Sequence, residues 1–497
     1  MRFFTILFWL FLFSTSMVSA KSYFVSVSGN DANDGLSAEK PFKTLPKAIS
    51  LIVPGDYIYL KGGVHLYSST VSISKNGTSA ANCFLVSYPG ERAILDFSGT
   101  SFGTRGLSLS GSYWQIKGIN FINAGDNGMI ISSGGFNVIE FCSFIGNKDS
   151  GLQLSGGAHD NKIINCDSYF NADPTDYGDA DGFACKMDVG NNNAFYGCRA
   201  WLNVDDGWDG YLRGTDNVST TLENCWTWRN GYFKDGTDAG ANANGNGFKM
   251  GGSDDKLLKH DFMLKNCIAF DNKAKGFDQN NNKGSMVMHN CSAYRNKGNN
   301  YSATAVLATG KILELKNCLS ADNKISIGSF AIQTTNSWMA PFAVSTADFV
   351  NLDTLGVSGP RKPDGSLPEI QFLHLAKNSN MIDKGTNVGL PYKGIQPDLG
   401  AFEFDLATAL RFGVNLQNEP KAWLNENDLI IRFNSPVSET LHCNLYHLNG
   451  QFVFSSDINQ GEEFKKINCG RLTQGTYILK IRSATKTWKP QKLVLIK

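Results

Sequence analysis

The 497-residue chain has almost no net charge, with 46 basic side chains against 45 acidic ones. That balance gives nucleic acid no bulk attraction, so no nucleic-acid partner is expected and any acidic partner must be met by a local site. Histidine is scarce: seven are scattered without H-x-x-H-like pairing, which argues against zinc. No run beyond the first residues is long and apolar enough for a membrane span. The first residues are Met1, Arg2, an apolar run from Phe3 to Phe13, and "STSMVSA" before Lys21. They have the form of a signal peptide over residues 1–20. A secreted protein is therefore expected, extracellular, at the cell surface or in the periplasm, and monomeric.

Eleven cysteines in an exported chain suggest disulfides, but the number is odd and the chain is too long to need staples. Their spacing says something else. Cysteines 142, 166, 198, 225, 267, 291 and 318 are each followed five residues later by an asparagine: Asn147, Asn171, Asn203, Asn230, Asn272, Asn296 and Asn323. The intervals of 24, 32, 27, 42, 24 and 27 residues describe one repeat with insertions. Each unit alternates short β-prone runs such as "NKIINCDSYF" with Gly/Asn turns, and none contains an amphipathic helix. This is the pattern of an all-β protein, a parallel β-helix. The cysteines would be reduced and buried inside, and the asparagines would form a ladder of side-chain amides between coils about 4.8 Å apart. Cys443 and Cys469 lie outside the column and could pair.

A glycine followed by a hydrophobe forms a second column, at "SGLQ", "DGWD" and "KGFD", nine residues after Cys142, Cys198 and Cys267. The same element recurs as "DGFA" and "NGFK", displaced by extra residues around "ADPTDYGDA" and "GYFKDGTDAGANAN". Those insertions should project from one edge of the stack, where function tends to sit. Alignment of the elements puts Asp181 over Asp206, with Asp205 beside them, and Asp209 next to Lys249 on the following coil. Four carboxylates without histidine or thiolate suit a hard cation taking six to eight oxygens, which is Ca²⁺. The plain alternative is that these aspartates cap turns. Asp209 reads as an exposed carboxylate on which the core does not depend. A lone Lys249 would be an ordinary solvated lysine, but beside acidic groups it becomes a candidate base if neutral. Burial and a cation would push its pKa down and the aspartates would push it up, a balance the residues leave open.

The segments "DADGFACK", "VDDGWDGY", "GNGFKMGG" and "AKGFDQNNNKG" resemble, in order, the site segments of the family 9 polysaccharide lyases, the pectate-lyase-like β-helices. Outside the site, "YFVSVSGNDANDGLSAEKPFKTLPKAI" resembles the family's N-terminal cap, and "GPRKPDGSLPEIQFLHLAKNSNMIDKGT" with "PDLGAFEF" its closing segment. The resemblance runs from Tyr23 to Phe404 and implies a right-handed parallel β-helix over residues 21–404. It also implies Asp181, Asp205, Asp206 and Asp209 as calcium ligands and Lys249 as catalytic base. The implied reaction is β-elimination of an acidic plant cell-wall polysaccharide, polygalacturonate or in some members the rhamnogalacturonan backbone. Two rivals use the same fold. A glycoside hydrolase would work through paired carboxylates, but the Gly-His-Gly segment of polygalacturonase-like enzymes is absent. A noncatalytic β-helix binding cell-wall glycans would differ only in lacking turnover.

After a linker at 405–420 the pattern changes. The runs "LIIRF", "HCNLYHL", "FVFSSD", "TYILKIRS" and "KLVLIK" alternate like antiparallel strands, and Asn449-Gly450 is a hairpin signal. Residues 421–497 thus read as a small antiparallel β-sandwich. Its "LYHLNGQFV…LTQGTYILKI" resembles the C-terminal sorting domains of the type IX secretion pathway, which implies a secretion machinery as partner. An accessory binding or stabilising module is the alternative.

Overall fold

Residues 22–334 wind into coils, and each full circuit gives one short strand to each of three parallel sheets, which count twelve, ten and ten strands. The computed structural model describes residues 20–354, 356–405, 420–424, 428–433, 437, 439–448, 450–470, 472–483, 488 and 490–495. Residues 1–19, most of the expected signal peptide, lie outside the described residues, as does most of the expected linker. No helix among the described residues is long and apolar enough to cross a membrane.

Two columns shape the circuits from Cys142 onward. The seven cysteines are buried and unpaired, as are Cys83, Cys185, Cys443 and Cys469, so Cys443 and Cys469 do not form a disulfide. The residue before each cysteine of the column is left-handed, with φ between 52° and 61° at Phe141, Asn165, Gly197, Asn224, Asn266, Asn290 and Asn317. Five of the seven are asparagines, which tolerate this conformation better than other side chains. Five residues on, the asparagines form the ladder: each Nδ2 from Asn147 through Asn171, Asn203, Asn230 and Asn272 donates to Oδ1 one coil ahead, ending on Asn296, over 2.8–3.0 Å.

Asn323 is not a rung. It is exposed in a turn, and Asn296 donates instead to Asn300 Oδ1 at 2.8 Å. The chain shortens this last circuit, so an asparagine four residues along the same coil closes the ladder. A second ladder at another bend, Asn137 to Asn161 to Asn193 with links of 3.0 Å, has no cysteine column to announce it.

The first end of the stack is covered by a single α-helix, Leu45–Leu51, which buries Leu45, Ala48 and Ile49. Residues 340–403 return along the outside of one sheet. There Phe349, Phe372 and Leu375 cluster with a stack of Trp201, Trp228 and Phe270. Arg199 and Arg361 tie this segment down, both pairing with Asp167 while Arg199 Nη1 donates to the Val357 and Gly359 carbonyls.

The chain divides into two compact units at Glu403/Phe404. The second contains antiparallel sheets of three and four strands around its own core, which includes Leu429, Ile431, Leu445, Tyr477 and Leu479. Two of its strands, Lys421–Leu424 and Phe464–Asn468, were not distinguished in the sequence pattern. The hairpin between Leu441–His447 and Phe452–Ile458 turns through Gly450 at φ 87°, while Asn449 lies outside the described residues.

Candidate active site

The site grows out of alternation in one sheet. Phe183, Trp208, Phe248, Phe277 and Tyr301 are register partners pointing inward, their ring centroids 4.8–5.1 Å apart. Because side chains alternate across a strand, the next residues, Ala184, Asp209, Lys249, Asp278 and Ser302, all face outward in register. The aromatic stack therefore fixes the spacing of the polar groups above it. Before each strand, Gly182, Gly207, Gly247 and Gly276 let the bend press against the opposite sheet. A Cβ at Gly207 would collide with Thr227 Oγ1, and one at Gly182 with the Ala200 side chain.

The residues preceding Gly151, Gly182, Gly207 and Gly247 stack into a column of Ser150, Asp181, Asp206 and Asn246, joined by backbone bonds such as Gly182 N–H to Asp206 O at 2.9 Å. The two insertions rise beside it and pack on each other, with the Tyr177 and Phe233 rings edge to face at 5.0 Å. The second insertion holds the acids as it returns. Asn244 N–H donates to Asp205 Oδ1 at 2.7 Å, and Asn246 donates to Asp206 Oδ1 from its backbone at 2.7 Å and its amide at 2.9 Å.

Asp181, Asp206 and Asp209 each offer a carboxylate oxygen within 4.8 Å of the others. Asp205 is buried next to this trio but outside it, engaged by Asn244. Contrary to the exposed position expected for Asp209, it is 5% exposed, because Lys186 and Lys249 cover it from the two neighbouring coils. Lys249 Nζ lies 3.0 Å from Asp206 Oδ2 and 3.5 Å from Asp209 Oδ1, and 5.7 Å above the Tyr211 ring.

Sequence reasoning missed Lys186. Its Nζ donates to Asp181 Oδ2 at 2.7 Å and stands 3.8 Å from Asp209 Oδ2. The signal was present: Lys186 ends "DADGFACK", two residues beyond outward-facing Ala184. Ser150, whose Oγ donates to Asp181 Oδ2 at 3.0 Å, and Asn246 were likewise readable from their alignment with the aspartate column.

Burial pushes the Asp181 carboxyl up to about 8, helped by the charges of Asp209 and Asp206 and opposed by Lys186. Asp205 and Asp206 are also raised, first by burial. Burial of Lys249 favours its neutral form, but Asp206, Asp209, Asp205 and Asp181 outweigh it and raise its pKa well above the ordinary lysine value. The open balance is thus settled toward ammonium when the carboxylates have no other cation. Four carboxyl groups face two ammonium groups, and the raised pKa values of Asp181, Asp205 and Asp206 mean that protons fill part of that imbalance when no cation is bound. Asp206 Oδ2 is buried without a hydrogen bond, although the Lys249 ammonium faces it. An all-oxygen donor set, more carboxyl than ammonium groups and an orphaned buried oxygen fit a divalent, oxygen-seeking cation.

Residues 23–325 match the family described as "Pel9A-like, right handed beta helix region", and residues 425–497 match "Secretion system C-terminal sorting domain". Over 404 residues the chain is 36% identical to "Pectate lyase L" of Dickeya dadantii (strain 3937), covering 78% of this chain and 92% of that protein. Among solved structures, pectate lyase Pel9A superposes with a TM-score of 0.72 at 35% identity, covering 78% of this chain and 98% of that one. A "Rhamnogalacturonan lyase" superposes with a TM-score of 0.62 at 25% identity, covering 72% and 97%. Fold, site and relatives together define a polysaccharide lyase built on a parallel β-helix. Within that class, the chain belongs to the Pel9A-like right-handed β-helix family.

Proposed function

We propose that this protein is a secreted, calcium-dependent lyase that cleaves pectic uronic-acid polymers by β-elimination, with Lys249 as the base. The observation that carries the reading is the placement of Lys249, in register with Asp209 and within 3.0 Å of Asp206 at the rim of the carboxylate cluster. Asp181, Asp206 and Asp209 would hold the ion, with Asp205 as the fourth ligand. When bound, calcium supplies charge neutralisation for a substrate carboxylate and for the aspartates that keep Lys249 protonated.

In the reaction, neutral Lys249 Nζ takes the proton from the carbon beside the substrate carboxylate. The electron pair left behind forms a carbon–carbon double bond as the glycosidic C–O bond breaks, and the departing oxygen takes a proton from solvent water, to which the Lys249 ammonium later returns one. Tyr211, whose hydroxyl donates to Asp254 Oδ1 at 2.7 Å, keeps a fixed ring beside the amine. Polygalacturonate is favoured over rhamnogalacturonan because the likeness to the pectate lyase structure is greater in both sequence and superposition. The C-terminal match supports export through a sorting-domain pathway.

The test is to incubate the purified protein with each polymer, with calcium or with chelator, and to follow ultraviolet absorbance of the unsaturated uronate product. Product from polygalacturonate in calcium alone is expected. Full activity in excess chelator would remove calcium from the proposal, and no product from either polymer would remove the substrate class.

A further inference from the structure

The second lysine of the site has no part in the proposed proton transfer. Lys186 is 3% exposed, enclosed more tightly than Lys249 at 8%. It makes aligned hydrogen bonds to Asp181 Oδ2 at 2.7 Å and to the Asp179 carbonyl at 3.2 Å, and it faces Asp209 at 3.8 Å. Lys249 makes no aligned hydrogen bond to the acids although it lies as close as 3.0 Å. One ammonium is thus hydrogen-bonded to one member of the trio and faces a second, while the other pairs with Asp206 and Asp209 by charge. Without Lys186, Asp181 would keep only Ser150 and the Asp206 N–H as partners. Three buried carboxylates would then share the single ammonium of Lys249.

We propose that Lys186 is a built-in counter-cation, which holds Asp181 and Asp209 in place when no metal is bound and by its own charge weakens the hold on a divalent cation. It is a positioning residue rather than a catalytic one. Its charge makes the fold independent of metal and keeps the site's affinity moderate, since a fixed positive charge a few ångströms from the ion repels it strongly in a buried setting. The inference rests on the calcium reading above.

The full chain, stripped with chelator, is titrated calorimetrically with calcium chloride as wild type, Lys186→Gln and Lys186→Arg, and each is melted in calcium and in chelator. Glutamine keeps a hydrogen-bond donor for Asp181 and removes only the charge. Lys186→Gln is expected to bind calcium about tenfold more tightly or better. It should melt earlier than wild type in chelator and recover in calcium, with Lys186→Arg close to wild type in both. A merely structural lysine would lower both melting points alike and would not tighten binding. Unchanged or weaker calcium binding by Lys186→Gln overturns the proposal, as does a chain that fails to fold even in calcium, because the ion should then replace the ammonium. Absence of calcium binding by the wild type overturns the calcium reading itself and this inference with it.

Discussion

The two faces of the site-bearing sheet are made by the same strands and obey opposite rules. Inward, Phe183, Trp208, Phe248, Phe277 and Tyr301 repeat one solution, a large flat ring on the ring before it. Outward, Ala184, Asp209, Lys249, Asp278 and Ser302 follow no single chemistry: a small residue, two acids flanking a lysine, and a hydroxyl. The inner face repeats like residues on neighbouring coils, because stacking in a close-packed interior depends on matching shapes. The outer face sets unlike groups side by side, as where Asp209 stands in register with Lys249. Phe248 and Lys249 are adjacent residues of one two-residue strand, and they should fail in different ways when changed.

The largest effect is expected for Lys249→Ala. Turnover should fall by at least the ~10² to 10⁴-fold typical of general-base catalysis, with the melting temperature little changed in calcium. Lys249→Arg should be similarly inactive, since a guanidinium stays protonated. Steady-state lyase assays beside thermal melts decide this, and an active arginine variant would show that charge alone is needed. Because the base must first lose its proton, and the aspartates raise its pKa, wild-type activity should climb with pH into the alkaline range.

Next in size is Phe248→Ala, which should cost about 3–5 kcal/mol of stability while leaving the chemistry of the folded fraction nearly unchanged. Chemical denaturation with activity normalised to folded protein separates the two. Loss of turnover per folded molecule would mean that the stack also aims Lys249 finely.

A third effect sharpens the contrast between buried polar and buried apolar groups. His260 is fully buried, its ring bonded to Gly210 O at 2.9 Å and Thr220 Oγ1 at 2.8 Å, and burial lowers its pKa to about 4. The unfolded chain, with an ordinary histidine near 6.5, binds more protons than the folded one between those values. Stability from this group is therefore complete above pH 6.5 and falls by about 3 kcal/mol as pH drops to 4. The raised Asp181, Asp205 and Asp206 act in the opposite sense, so the difference between wild type and His260→Gln is the quantity to measure. A difference that does not change with pH would show that His260 does not titrate as described.

The smallest effect should follow deletion from residue 421 onward. All the proposed site residues precede Met250, so purified truncated protein should retain nearly full turnover. A large fall with normal folding would mean that the second unit contributes to the substrate groove.

Much of this arrangement was legible because a β-helix writes its columns at nearly regular intervals. The cysteine and asparagine columns, the alignment of Asp181 with Asp206 and the pairing of Asp209 with Lys249 all follow from counting. Counting failed where a circuit changed length, as at Asn323, where Asn300 takes the rung. It failed too where a residue acts through a long side chain, as Lys186 does in reaching back toward Asp181. The enclosure of Asp209 was invisible for a related reason: the side chains that cover it come from coils 23 residues before and 40 residues after.

The asparagine ladder runs one way. Each rung's oxygen is occupied by donors from the coil before it, and its own NH₂ waits for the coil after. Any stretch of the ladder therefore has an open donor at its later end and an open acceptor at its earlier end, closed here by Asn300 Oδ1 and by the Ala124 N–H, so the two ends of the stack need different caps. The same polarity restricts how such a chain can be shortened or lengthened. A whole circuit can be removed and the neighbouring rungs rejoined, whereas a cut within a circuit strands an amide in the interior, and any new terminus needs its own equivalent of Asn300.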